Sequence, residues 1–444
     1  MAIPTFTGLQ TALSGLQAAQ AAIDTTGENI ANANTPGYTR QVVNTGESPS
    51  LTIPEYSQQG AQANLGTGVD VTSITRIRDQ FLDIQYRAQN TQTSNANTNA
   101  SELAQVQTAI NEPSSNGLQS QLSNFWSAWS SLANDPTSPA AGQAVIDAGQ
   151  TLAQTFNSVG SQMSTVQSQA AQQYSTLTGT NGTVEQDAQQ IATLNGEITQ
   201  ATQAGQTPNN LLDQRDNLLD QLSGLAQISV TNQSNGSVTV NFGDASTPLV
   251  SGTTVTWPQT LTSAAGGQLG SLLSLSSASG PIGQFMSSLD GVASKVISSV
   301  NALQPSSPFF SGTSASTIAV TATASTIQTS SSSTSGADLA QGIASLSGGA
   351  ADQAYAAFVA QIGSGVQAAQ TTQNTQQAVL TAISNQRQSV SGVSLDQEMA
   401  NLVQFQQSYQ ASARVMNALD TAINTPQTRW ARNVWDATGR EIQG

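Results

Sequence analysis

Apolar residues recur every seven positions at both ends of this chain. Near its start Leu9, Leu16, Ile23 and Ile30 keep that interval, with Phe6 and Leu13 between them. The spacing predicts an amphipathic helix of about 28 residues with an a/d stripe on one face. The stripe weakens at Gln20 and Gly27, where the d position is polar or empty. Near the other end Leu395, Leu402, Tyr409, Met416 and Ile423 repeat the interval, and Met399 and Ala413 fill d positions. A narrow apolar stripe cannot be buried by one helix alone. The two ends are therefore expected to pair as a coiled coil, with the rest of the chain inserted between them. The same heptads would also serve as the core of an ordinary helical bundle.

The first helix meets an abrupt stop in "NIANANTPGYTR", residues 29–40. Pro36 disfavours helical backbone at Thr35, and Pro36-Gly37 fits the centre of a type II turn. From Tyr38 to about Ile77 the Thr, Val and Gly content predicts extended segments. A long helical region is expected from about Arg78 to Leu225, interrupted near Pro113 and at "NDPTSPAAG". Its clearest amphipathic stretch is "LLDQRDNLLDQLSGL", with Leu211, Leu212, Leu218, Leu219, Leu222 and Leu225 on one side. The period then changes to two around Asn235-Gly236, a strong hairpin signal. Helix resumes from about Gly267 to Leu303. A Ser/Thr-rich stretch at 304–336 reads as loop or weak strands, and helix returns at about Asp338.

This gives a mainly α chain with a small β domain, elongated and multidomain. Residues 1–36 and 390–424 form the terminal coiled-coil domain, and 37–226 with 264–389 a mostly helical rod-like domain. Residues 227–263 are the small β domain and 425–444 a flexible tail, in which Trp430 and Trp435 with Arg429, Arg432 and Arg440 could bind a partner or chaperone, although a disordered extension or an unrelated appended sequence explains it better.

The 444 residues suffice for two or three domains, so core size is not limiting. Only 8% of them are charged, against about a quarter in ordinary soluble domains. Gln, Asn, Ser, Thr and Ala take their place. With a net charge of −15, one lysine (Lys295) and ten arginines, no strongly basic face can form, which argues against nucleic acid and anionic membrane as partners. The absence of Cys and His removes disulfides, thiol chemistry and every imidazole mechanism. The N-terminus lacks the pattern of a cleaved signal peptide, and no apolar run is long enough to span a bilayer. Taken alone, these features suggest a soluble intracellular protein.

Chemistry is sparse. Asp213, Asp216 and Asp220 share a helix face by their spacing and could hold a cation, but a solvated surface with Arg215 as local counter-charge explains them better. Asp396 and Glu398 read as partners of a helix dipole. No phosphate loop, nucleophile–base pair or ligand cluster is evident, so no catalytic residue, metal or cofactor is expected. A secreted glycan hydrolase using Asp213 or Glu185 is the reading from a different class. A recognition surface on the β segment at 227–262 is another.

Three stretches carry a resemblance: "NIANANTPGYTRQ", "TPNNLLDQRDNLLDQLSGL" and "VSLDQEMANLVQFQQSYQASARVM". Together they resemble the flagellar hook-associated protein 1 family, of the hook–filament junction. The first stretch is also similar to rod and hook proteins, which keeps another axial flagellar component open. The resemblance implies a terminal coiled-coil domain, a helical rod-like domain and β-rich outer domains. It implies export unfolded through the flagellar type III apparatus, without a cleaved signal peptide, and an extracellular place. Implied partners are the hook protein, a second junction protein, further copies in a ring or helical layer and an export chaperone, with no nucleic acid and no membrane insertion. Asn29, Asn32, Asn34, Pro36, Gly37, Tyr38 and Arg40 match the junction between terminal helix and rod. Leu395, Met399, Leu402, Phe405, Tyr409 and Ala413 match the C-terminal packing helix. The chain is short for that family, with one clear β insertion.

Overall fold

The computed structural model describes residues 4–53, 63–332 and 336–439. The chain is mostly helical with small antiparallel sheets. Helix α1 (Pro4–Ala31) has the expected length, 28 residues. The turn that follows closes with the Tyr38 amide donating to the Thr35 carbonyl at 3.2 Å. Gly37 supplies the positive φ of +82° that a type II turn demands. Strands β1 (Gln41–Glu47) and β4 (Val69–Arg76) pair antiparallel with a bulge between Asn44 and Thr45, and β2 (Leu51–Ile53) pairs with β3 (Ala63–Leu65). This hairpin lies against α1, where the Val69 amide donates to the Ser14 hydroxyl at 3.2 Å.

The helical body runs through α2 (Gln80–Ile110), α3 (Leu118–Asn134), α4 (Pro139–Thr178), α5 (Thr183–Gln203) and α6 (Asn209–Leu225). Asp79 caps α2 by accepting from the Phe81 amide, and Ser138 caps α4 just ahead of Pro139. The breaks near Pro113 and at 135–138 fall where expected. Two further breaks, at 179–182 and 204–208, were hidden in polar sequence; Asn181 and Gly205 take positive φ there.

Strands β5 (Ile228–Asn232), β6 (Val238–Phe242), β7 (Val250–Ser251) and β8 (Thr254–Val255) form one antiparallel sheet in that order. Gly236, with φ +86°, turns the β5–β6 hairpin. The sheet has no core of its own: Val238, Val240, Phe242 and Val250 share one apolar cluster with Val184, Ile191, Leu219 and Leu222 of α5 and α6.

Helices α7 (Gly267–Ser276) and α8 (Pro281–Ala302) replace the single helix expected there. Among its described residues the Ser/Thr-rich stretch holds only β9 (Phe310–Ser311) and β10 (Ala319–Val320). Its apolar residues nonetheless enter the main core. Phe309 and Phe310 are fully buried and stack with Phe125 at centroid distances of 5.5 Å. Gly149 makes room for this, since a Cβ there would stand 2.7 Å from Phe309.

Helix α9 (Asp338–Ala344) precedes α10 (Ala350–Ser391) and α11 (Leu395–Gly439). α10 packs antiparallel on α2, pinned to the body by the Tyr355 hydroxyl donating to Glu112 at 2.8 Å and the Trp126 indole donating to Asp352 at 3.0 Å. The tail expected to be flexible from 425 is continuous helix to Gly439, and residues 440–444 lie outside those described.

A recurring device explains the amide-rich composition. The Asn29 side chain exchanges two bonds with the Gln41 backbone, both 2.9 Å, as a strand neighbour would. Asn195 does the same with Val238, Asn301 with Phe310 and Gln304 with Gln328. A neutral amide satisfies both a buried N–H and a buried C=O without the desolvation cost of a charge.

Candidate assembly joint

α1 and α11 lie side by side and antiparallel. A Cβ on Gly8 would stand 3.3 Å from Leu419, and one on Gly15 would stand 3.1 Å from Ser412. The buried face of α1 consists of small and polar residues: Ala12, Ala18, Ala19, Ala22, Thr25, Thr26 and Asn29. Leu9, Leu16, Ile23 and Ile30 sit half-buried at its edge, and Leu13 is 43% exposed. On α11, Leu402, Phe405, Tyr409, Ala413, Met416 and Ile423 are half-buried, whereas Leu395 and Met399 are 49% and 54% exposed. The expected seam is thus corrected at Leu13, Leu395 and Met399. The intervening contact positions lie three residues after each heptad apolar position, at Ala12 and Ala19, and at Glu398, Phe405, Ser412 and Leu419. The alanines on α1 let the hairpin and α11 approach it together. The side chain of Phe6 lies outside the described residues.

Where the pair meets the body, the asparagine-rich turn builds a polar latch. Besides its exchange with Gln41, Asn29 accepts from the Tyr38 hydroxyl at 2.8 Å and donates to Glu398 at 3.1 Å. Arg40 Nε donates to the other Glu398 oxygen at 2.7 Å, while its backbone amide donates to Ser391 at 2.9 Å. All four hydrogen-bonding positions of the Asn29 amide are therefore filled. Burial, reinforced by the carboxylates of Glu28, Asp213 and Glu398, pushes the Tyr38 phenol up to about 12, so it remains a donor. Asn32 plays a local part, donating to the Glu28 carbonyl at 3.1 Å, while Asn34, Pro36 and Gly37 are exposed. Glu398, read as a helix-dipole partner, is instead the buried anchor of the latch, 1% exposed.

A second cluster lies beside it, across the Gln41–Arg76 pair of the β1–β4 ladder. Asp213, Asp216 and Asp220 do share one face of α6, but that face is covered. Arg76 reaches Asp213 at 2.6 Å and Asp216 at 2.9 Å; Arg78 reaches Asp216 at 3.1 Å and Asp83 at 2.6 Å. Arg87 bonds Asp216 at 3.1 Å and Asp220 at 2.8 Å, and Arg387 bonds Asp220 at 2.7 Å and Asp83 at 2.9 Å. Arg387 also stacks over Tyr86 at 4.7 Å. Burial alone would raise Asp216, yet Arg78, Arg76 and Arg87 outweigh it and hold its carboxyl below the usual range. The expected counter-charge, Arg215, points elsewhere, donating to Asn195 at 3.0 Å and the Gly236 carbonyl at 2.8 Å. Burial pulls its guanidinium down to about 10. The Thr39 amide donates to Asp213 at 3.2 Å, which joins the two clusters.

Such an arrangement fixes angles between elements. Asp213 is held in ion pairs, and Glu185 accepts from the Asn181 amide at 2.8 Å. Among the described residues no group of acidic side chains could hold a metal, and no helix is long and apolar enough to cross a membrane.

The comparisons with known proteins fall on these same segments. Residues 103–264 match the helical domain of flagellar hook-associated protein FlgK. Residues 9–39 match the flagella basal body rod protein family, and 384–425 the C-terminal family of the rod proteins FlgEFG. Over the middle of the chain the similarity is to flagellar hook-associated proteins. The hook-associated protein 1 of Bacillus subtilis (strain 168) is 39% identical over 52% of this chain and 45% of its own length. That of Escherichia coli (strain K12) is 31% identical over 55% of this chain and 43% of its own. A solved structure of the flagellar hook junction protein FlgK from Burkholderia pseudomallei aligns at 28% identity with a TM-score of 0.45, over 50% of this chain and 44% of that one. The chain thus spans less than half the length of the hook-associated proteins it matches. Both clusters of the joint draw on matched segments: Asn29 and Tyr38 on the first rod match, the α6 aspartates on the helical-domain match, and Arg387 and Glu398 on the last. Sequence reasoning missed Arg76, Arg78, Arg87 and Arg387 and gave Glu398 a different part. The one available signal was the scarcity of charge, since in such a chain a clustered charge has a specific partner.

Proposed function

We propose that this chain is a structural component of the bacterial flagellum that joins hook to filament. In this reading it is exported unfolded and assembles outside the cell as a ring or helical layer. The terminal helices, residues 1–36 with 390–424, form a coiled-coil strut, the segments 37–226 and 264–389 a rod, and 227–263 a small outward β unit. Its neighbours are the hook protein, a second junction protein and further copies, with an export chaperone before secretion.

The supporting observation is the uncovered apolar row on α11. Leu395, Met399 and Val403, 49%, 54% and 51% exposed, are spaced one helical turn apart on a side that α1 does not reach. An apolar row on a helix whose other side is already packed calls for a neighbour.

The test is the double variant Met399→Asp, Val403→Asp. The purified protein keeps its helical circular dichroism and melting temperature, because neither side chain is buried. Cells carrying it export the protein yet shed unassembled flagellin into the medium. Normal filaments on those cells would overturn the reading.

A further inference from the structure

Away from the joint, helices α5 and α6 leave an open groove of ≈ 850 Å³ between them. Leu194 and Leu218 line its base, and amides such as Gln190, Gln214 and Gln221 line its sides. The charged residues lining it, Asp187 and Glu197, are both acids. Ten positions apart on α5, they stand about 15 Å from each other along the helix axis. The buried acids of the joint, Asp83, Asp213 and Glu398, are each met by an arginine. Asp187 is as deeply buried, 6% exposed, yet its Oδ2 accepts no hydrogen bond among the described residues. Burial alone acts on its carboxyl, and no cation of the fold offsets it.

We propose that this groove binds a linear aliphatic polyamine, with one ammonium on Asp187, another toward Glu197 and the methylene chain along Leu194 and Leu218. This goes beyond the flagellar role and does not depend on it. A buried carboxylate without a counter-charge is costly, so the missing partner is a cation. A metal ion does not suit the groove: it needs several oxygens at once, and carboxylates about 15 Å apart cannot share it. A guanidinium grips both oxygens of a carboxylate with its planar fork, whereas Oδ2 of Asp187 is closed to solvent. An ammonium is a compact charge with three donors, which one carboxylate oxygen and two amide carbonyls satisfy.

Calorimetric titration of the whole chain with spermine, at neutral pH and low ionic strength, tests this. Because the chain carries a net charge of −15, polyamine also gathers loosely elsewhere, and Asp420→Asn, which removes an exposed acid of α11, is the control. A single saturable site is expected. Asp187→Asn keeps the shape of the side chain and should weaken that site about tenfold, Glu197→Gln should weaken it less, and Asp420→Asn should leave it unchanged. Putrescine, too short to reach both acids, should bind more weakly and ignore Glu197→Gln. A lysine tripeptide that binds as tightly as spermine would mean that the groove takes a protein side chain, and would overturn the polyamine assignment. No saturable site, or equal weakening by all three variants, would overturn the proposal while leaving the structural role standing.

Discussion

The side chains of Asn29 and Glu398, 369 positions apart in sequence, meet at 3.1 Å inside the protein. Asn29 ends α1 and Glu398 begins α11, so this contact sets where the terminal pair leaves the body. A carboxylate 1% exposed survives there because Arg40 neutralises it and Asn29 donates to it.

Replacing one partner should therefore loosen the terminal pair. Arg40→Ala leaves Glu398 buried without its cation, an expected loss of about 3 kcal/mol. Asn29→Ala strips bonds from Tyr38, Gln41 and Glu398 together. Hydrogen exchange should accelerate in α1 and α11 for both variants while α3 and α8 stay protected. Unchanged exchange in α1 would show that the latch does not hold it.

The aspartate–arginine cluster predicts an acid response. The Asp216 carboxyl sits below its unfolded value, so its stabilisation is present above about pH 4 and lost as pH falls through the lower folded value. Unfolding free energy should then be flat at neutral pH and drop steeply below about pH 4. Asp216→Asn should cost about 3 kcal/mol at pH 7 and flatten that acid slope. A variant with the parent's acid profile would contradict this.

Much of this fold is legible in the sequence, for identifiable reasons. The heptads at Leu9 and Leu402 announce both terminal helices, and Pro36-Gly37 announces the turn. The facing positions were not legible, because Gly8, Ala12, Gly15 and Ser412 make the contact, and a search for large apolar residues passes over them. The spacing of Asp213, Asp216 and Asp220 revealed a shared face. Their partners come from β4, the link after it, α2 and α10, and only folding brings those together. The Ser/Thr-rich stretch concealed Phe309 and Phe310, two aromatic residues that carry its packing.

The amides that stand in for strands should resist acid substitution. Gln304 is fully buried, donating to the Gln328 carbonyl at 2.6 Å and accepting from its amide at 2.9 Å. Gln304→Glu preserves the shape but turns an oxygen toward that carbonyl, at an expected cost of about 3 kcal/mol at neutral pH. Thermal unfolding at pH 7 measures it. A melting temperature equal to the parent's would show the exchange to be dispensable.

Two glycines of α1 should respond in opposite directions. Nothing lies within 4 Å of a Cβ at Gly27, so Gly27→Ala should stabilise the helix by about 0.5–1 kcal/mol. Gly15→Leu drives a side chain into Ser412 and should separate α1 from α11, read as faster exchange in both. Equal behaviour of the two variants would mean that α1 and α11 are not in close contact.

Asp187, on α5, offers the opposite pH response to Asp216. It is 6% exposed, and its Oδ2 accepts no hydrogen bond among the described residues. Burial pushes its carboxyl up to about 6. The folded state therefore takes up a proton more readily than the unfolded chain, and stability attributable to this group declines as pH rises from 3.8 to about 6. Asp187→Asn carries no charge at any pH. Its stability relative to the parent should grow across that window and level off above it, with a plateau of about 1–2 kcal/mol once partial screening by solvent is allowed for. Denaturant unfolding of both proteins at several pH values reads this difference directly. A difference independent of pH would mean that the Asp187 carboxylate is as well solvated in the fold as in the unfolded chain.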